Sequence, residues 1–86
     1  MKVTLGKEGL GCTWQAAFPK TTGCCRCDGE ARIGFVVQEQ QGEKGYVADL
    51  HPNEPDGSGF WLHDACAVAV YFCRKCLKPT ALYNQA

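Results

Sequence analysis

The chain has 86 residues, 45% of them hydrophobic, with nine Lys and Arg against nine Asp and Glu. That length makes one domain the expectation, and the zero net charge removes the overall positive field on which non-specific nucleic-acid binding rests. Seven cysteines are a large excess for so short a chain, and a domain that hides only about 60–65% of its unfolded surface needs a staple, here expected to be sulfur-based.

Residues 1–9 are polar and carry two glycines, which reads as an irregular lead-in or a short edge strand at Val3-Thr4-Leu5. From Leu10 to Phe18 apolar side chains alternate, with Leu10, Cys12, Trp14, Ala16 and Phe18 on one face. A period of two predicts a strand with one buried face, ended by Pro19. Lys20-Thr21-Thr22-Gly23 then leads into Cys24-Cys25-Arg26-Cys27, and Asp28-Gly29-Glu30 is a turn signal. Ala31 to Gln38 reads as a strand with Ile33, Phe35 and Val37 on one face. Gln40 to Gly45 reads as a hairpin loop, Tyr46 to Leu50 as its return strand, and His51 to Gly59, with its prolines and glycines, as a loop.

Between Phe60 and Phe72 two readings compete. Cys66-Ala67-Val68-Ala69-Val70-Tyr71-Phe72 alternates small with large and is rich in β-branched and aromatic residues, which favours a strand. An Asp64 N-cap followed by Ala65, Val68, Ala69 and Phe72 would instead make a short helix near 64–72. Cys73-Arg74-Lys75-Cys76 comes next, Pro79 follows, and Thr80 to Tyr83 reads as a last strand. The expected organisation is a single domain over 1–86, with a core over 10–83 and a frayed tail at 84–86.

Disulfide frameworks use even cysteine counts in exported chains. The count here is odd, and Met1 to Glu8 shows no apolar run or cleavage site of an export signal. No 18-residue apolar stretch is present to span a membrane. The expectation is a reduced, cytoplasmic, monomeric protein, and in that setting repeated Cys-x-x-Cys points to metal. Cys24, Cys27, Cys73 and Cys76 are therefore the expected metal ligands. Zinc takes four such donors in a tetrahedron, and each Cys-x-x-Cys turn aims two thiolates the same way.

The surplus cysteines are Cys12, Cys25 and Cys66. Cys12 and Cys66 fall on apolar faces and are expected to pack as small hydrophobes. Cys25 is a rival to Cys24 through the spacing Cys25-Arg26-Cys27. His63, next to Asp64 and near Cys66, offers a further ligand or a thiol-activating pair, but no third group completes a catalytic set, so no enzyme activity is expected. The aromatic side chains mostly build the core, and Trp61 is a candidate partner anchor beside Arg74 or Lys75.

The paired Cys-x-x-Cys knuckles joined by a glycine-punctuated hairpin resemble the zinc-ribbon or rubredoxin-like class over residues 24 to 83. Members commonly carry Cys-Pro-x-Cys-Gly knuckles; Cys24-Cys25-Arg26-Cys27-Asp28-Gly29 and Cys73-Arg74-Lys75-Cys76-Leu77-Lys78 lack the proline, and the tightening glycine is displaced or absent. The resemblance implies a small, mainly β antiparallel sheet closed by one structural zinc, in a module that binds a protein. It also implies an alternative, a rubredoxin-like iron electron carrier, since thiolate sites take both metals; a thiol redox switch using Cys25, Cys12 or Cys66 is a separate alternative. Nucleic acid is a further candidate partner through Arg74, Lys75 and Lys78.

Overall fold

The computed structural model describes residues 2–38 and 66–85. They form a small antiparallel sheet with one short 3-10 segment, a mainly β, zinc-ribbon-like fold. The strands are β1 (Lys2–Leu5), β2 (Thr21–Gly23), β3 (Glu30–Gln38), β4 (Cys66–Cys73) and β5 (Pro79–Gln85), in the order β1-β3-β4-β5 with β2 also on β3. The expected return strand Tyr46–Leu50, the loops at 40–45 and 51–59, and Trp61, His63 and Asp64 lie outside the described residues.

β1 and β2 share one edge of β3. Leu5 pairs with Phe35, and Thr21 pairs with Arg32. Between them the chain leaves the sheet, passes through the 3-10 segment Gly6–Gly11, and returns. This excursion lies across the sheet, and the core sits between the two. Leu10, Cys12 and Phe18 pack onto Ala31, Ile33, Val36, Ala67, Ala69, Tyr71 and Leu82.

The strand expected from Leu10 to Phe18 is thus not formed. Its alternation is real at Leu10, Cys12 and Phe18, but Trp14, Gln15, Ala16 and Ala17 are exposed. The excursion closes on itself instead: the Phe18 N–H donates to the Leu10 carbonyl at 3.0 Å and the Cys12 N–H to that of Gly9 at 2.9 Å. Asn84 on β5 ties it down, accepting from the Trp14 N–H at 3.0 Å and donating to the Ala16 carbonyl at 3.4 Å. Cys12 keeps its expected packing role.

β3 contains a bulge. Ile33 pairs with Tyr71 and Phe35 with Val70, which leaves Gly34 as the extra residue. A bulge shifts the side-chain alternation by one position, so the inward set is Ala31, Ile33 and Val36. Phe35 and Val37, expected beside Ile33, go to the other face, where the Phe35 ring lies 6.2 Å from that of Phe72. Glycine suits the bulge, because a Cβ at Gly34 would come within 2.5 Å of the Phe72 ring.

The segment 66–73 is a strand, not a helix. Its inward face is Ala67, Ala69, Tyr71 and Cys73, all fully buried. The small alanines let the excursion approach closely. Cys66 is fully buried as well, in keeping with its expected packing role. Tyr71 is the largest fully buried side chain among the described residues, and its hydroxyl donates to the Pro19 carbonyl at 2.6 Å. Burial pushes the Tyr71 hydroxyl pKa up, so it stays a donor.

Tyr71→Phe is expected to cost about 0.5–1.5 kcal/mol, the net value of one hydrogen bond. The cost stays in that range because Pro19 is exposed and its carbonyl can turn to water. A denaturant midpoint lowered at unchanged m-value and unchanged metal content is the expected measurement.

Candidate metal centre

Both knuckles are hairpin turns at the same end of the sheet. One joins β2 to β3 and the other joins β4 to β5. The pairing of Ala31 with Cys73 puts the two turns side by side. An added bond links them: the Arg74 N–H donates to the Glu30 carbonyl at 3.0 Å.

The two turns match residue for residue. In the first, the Cys24 N–H donates to the Gly29 carbonyl at 2.8 Å; in the second, the Cys73 N–H donates to the Lys78 carbonyl at 3.2 Å. The Arg26 N–H reaches Cys24 Sγ at 3.3 Å, and the Lys75 N–H reaches Cys73 Sγ at 3.3 Å. The residue after the second cysteine is left-handed in both, Asp28 with φ 60° and Leu77 with φ 61°.

Glycine normally takes that left-handed place at least strain. Asp tolerates it better than most residues; a leucine gains nothing there. Leu77 is also 73% exposed, so little packing is lost on removing it. Leu77→Gly is expected to stabilise the metal-loaded domain by about 1 kcal/mol, read as a Tm rise of several degrees. A lowered Tm would show that the leucine side chain contributes more than its exposure suggests.

The four sulfurs expected from the spacing do converge. Sγ atoms of Cys24, Cys27, Cys73 and Cys76 all lie within 4.8 Å of one another. Cys24 Sγ is 3.6 Å from Cys76 Sγ, and Cys27 Sγ is 3.5 Å from Cys73 Sγ. A tetrahedron with metal–sulfur bonds near 2.3 Å has sulfur–sulfur edges of about 3.8 Å, so the cage is already close to the size of a four-thiolate metal site. Cys24 and Cys73 are buried, Cys76 is half-buried and Cys27 is exposed.

Backbone N–H groups converge on the first cysteine of each knuckle. Those of Cys76 and Lys75 overcome burial and, with the hydrogen bonds from Cys27 and Cys24, bring the Cys73 thiol down to about 6. Those of Cys27 and Arg26 likewise lower the Cys24 thiol. At Cys27 the Gly29 N–H pulls down, but the hydrogen-bonded sulfurs of Cys73 and Cys76, burial and Cys24 outweigh it and push the thiol up to about 12. Crowded thiols that cannot all ionise together are what a divalent cation relieves, since it binds thiolates and displaces their protons.

Gly29 was read from the sequence only as part of a turn, yet it forms one wall of the cage. A Cβ there would lie 3.0 Å from Cys73 Sγ and 3.2 Å from Cys27 Sγ. Asp28 and Leu77, members of the two knuckles in the sequence, gain a specific part as their left-handed residues. Their shared offset, one residue past each Cys-x-x-Cys, is the signal that finds them.

Cys25 stands apart from the four-sulfur cluster. It occupies the place that Arg74 holds in the second knuckle and is exposed. Its N–H donates to Thr80 Oγ1 at 3.2 Å and its thiol to the Pro79 carbonyl at 3.7 Å. The cage therefore uses Cys24.

Of the three expected basic residues, Arg74 lies 3.5 Å from Glu30, which also holds Arg32 at 2.9 Å. Lys75 and Lys78 are exposed. No helix among the described residues is long and apolar enough to cross a membrane. No family model, curated protein or solved structure matches the chain.

Proposed function

We propose that the chain is a structural-zinc module that presents its surface to a protein partner in the cytoplasm as a monomer. The convergence of Cys24, Cys27, Cys73 and Cys76 within 4.8 Å carries this reading. Four thiolates fill a tetrahedral shell and leave no position for water or substrate, so the metal supplies folding energy, and no catalysis is assigned to it. Zinc suits such a set of donors and has no redox chemistry of its own.

Two observations favour protein over nucleic acid as partner. Arg74 is engaged by Glu30, which leaves the basic cap short of a charge. Large apolar side chains are also exposed: Val3 53%, Leu5 73% and Phe72 39% on the outer sheet face, and Leu77 73% at a knuckle tip. Contiguous exposed apolar surface marks protein contacts more often than phosphate contacts.

Elemental analysis with a thiol count tests the proposal. One zinc per chain is expected, with the four cage thiols protected from alkylation and Cys25 reactive. A red protein with one iron would instead favour the electron-carrier reading, because the same four sulfurs serve iron. A metal-free, folded protein would overturn both and leave a thiol switch. A salt-dependent mobility shift with DNA would move the partner to nucleic acid.

A further inference from the structure

The excursion from the sheet leaves a gap in the edge of β3. β1 stops at Leu5, opposite Phe35, and β2 starts at Thr21, opposite Arg32. Ile33 and Gly34 lie between, with no strand beside them on that edge among the described residues. An open cavity of about 410 Å³ lies at this gap. Its lining comes from both ends of the excursion, Lys7 and Leu10 at the start and Lys20 and Thr21 at the return, and from Glu30, Arg32 and Ile33 on β3.

The lining divides by chemistry. Leu10 and Ile33 supply an apolar floor, and both also pack on the core, so the floor is held rigidly. Lys7, Lys20 and Arg32 supply positive charge. Glu30 is the single acidic residue in the lining, and its carboxylate is shared between Arg32 at 2.9 Å and Arg74 at 3.5 Å. Lys7 and Lys20 are exposed and make no ion pair among the described residues. In a chain of zero net charge, this concentrates positive charge over an apolar floor.

We propose that this cavity binds a small organic anion, an apolar body carrying a carboxylate, sulfonate or phosphate head. The apolar body lies on Leu10 and Ile33, and the head is held by Lys7 and Lys20. The volume falls within the range of small-molecule sites, which combine apolar walls with a few placed polar groups. Binding does not depend on which metal fills the cage, since the lining contains none of the four cysteines.

The test uses the full, metal-loaded chain and anilinonaphthalene sulfonate as probe, with inorganic phosphate as the anion alone. Saturable dye binding is expected, with amide shifts gathered at Leu10, Thr21 and Ile33 and with weakening at high salt. Lys20→Glu, with metal content and Tm unchanged, should weaken the dye by about tenfold or more, since it turns a charge attraction into a repulsion. Lys75→Glu, on the second knuckle, should leave binding unchanged. Shifts gathered at Val3, Leu5 and Phe72 would overturn the proposal, because the dye would then be reporting the outer sheet face. Equal dye affinity in Lys20→Glu would overturn it too, and phosphate binding as tightly as the dye would overturn the apolar part of the assignment.

Discussion

Cys73→Ser is expected to abolish the folded state. Cys73 is the last residue of β4, fully buried, with its sulfur 3.5 Å from that of Cys27. It therefore ties the knuckle between β4 and β5 to the knuckle between β2 and β3. Among the described residues the core it assists is thin: the buried cluster is Phe18, Val36, Tyr71 and three alanines, with Leu10, Cys12, Ile33 and Leu82 partly buried against it. A structural zinc contributes about 10–16 kcal/mol of apparent binding energy, as much as a typical domain's whole stability of about 5–15 kcal/mol. Serine offers a hard, protonated oxygen in place of a thiolate, and the shell loses a donor. Loss of amide dispersion and of a cooperative thermal transition is the expected result. Their retention in the variant would refute the clasp. Cys25→Ser is the matched control. It lies in the other knuckle, outside the four-sulfur cluster, and the bond it makes to Thr80 comes from its backbone, so metal content and Tm should hold.

A second large effect is expected at Gly9→Ala, far from the metal. Gly9 is buried in the 3-10 segment, directly on β3. A Cβ there would lie 2.6 Å from Val36 Cγ2, 2.9 Å from Val36 Cβ and 3.2 Å from the Thr4 carbonyl. Val36 is fully buried and cannot swing aside, and the Thr4 oxygen belongs to β1. The methyl group must push the excursion off the sheet, an overpacking cost of about 1–3 kcal/mol. Equilibrium denaturation should show the loss, with the metal retained. Stability equal to the wild type would mean that the 3-10 segment is free to lift, and the excursion would then not be a true layer of the core.

The membership of the four-cysteine cluster was legible from the chain alone. The spacing within each Cys-x-x-Cys is a local constraint, so the cage members Cys24, Cys27, Cys73 and Cys76 could be named before any fold. The strand at 66–73 was legible for a similar reason, since its β-branched and aromatic residues outweigh its alanines. Spacing left Cys25 as a rival to Cys24, and the structure groups the sulfur of Cys24 with the other three.

What the sequence by itself determined, then, are features that depend on neighbours a few residues apart: the cysteine turns and the β preference of 66–73; at Val3 to Leu5 it offered an edge strand or an irregular lead-in, and pairing with β3 chose the strand. The tertiary structure alone decided which side chains are inside. One unpaired residue at Gly34 reverses the faces of β3, and no pattern of period two can announce where the count slips. Leu10, Cys12 and Phe18 are apolar because an excursion buries them, and alternation cannot distinguish that from a strand. The size of the four-sulfur cage is decided at this same level. Only the pairing of Ala31 with Cys73 brings the knuckles side by side, and that contact joins residues far apart in the chain.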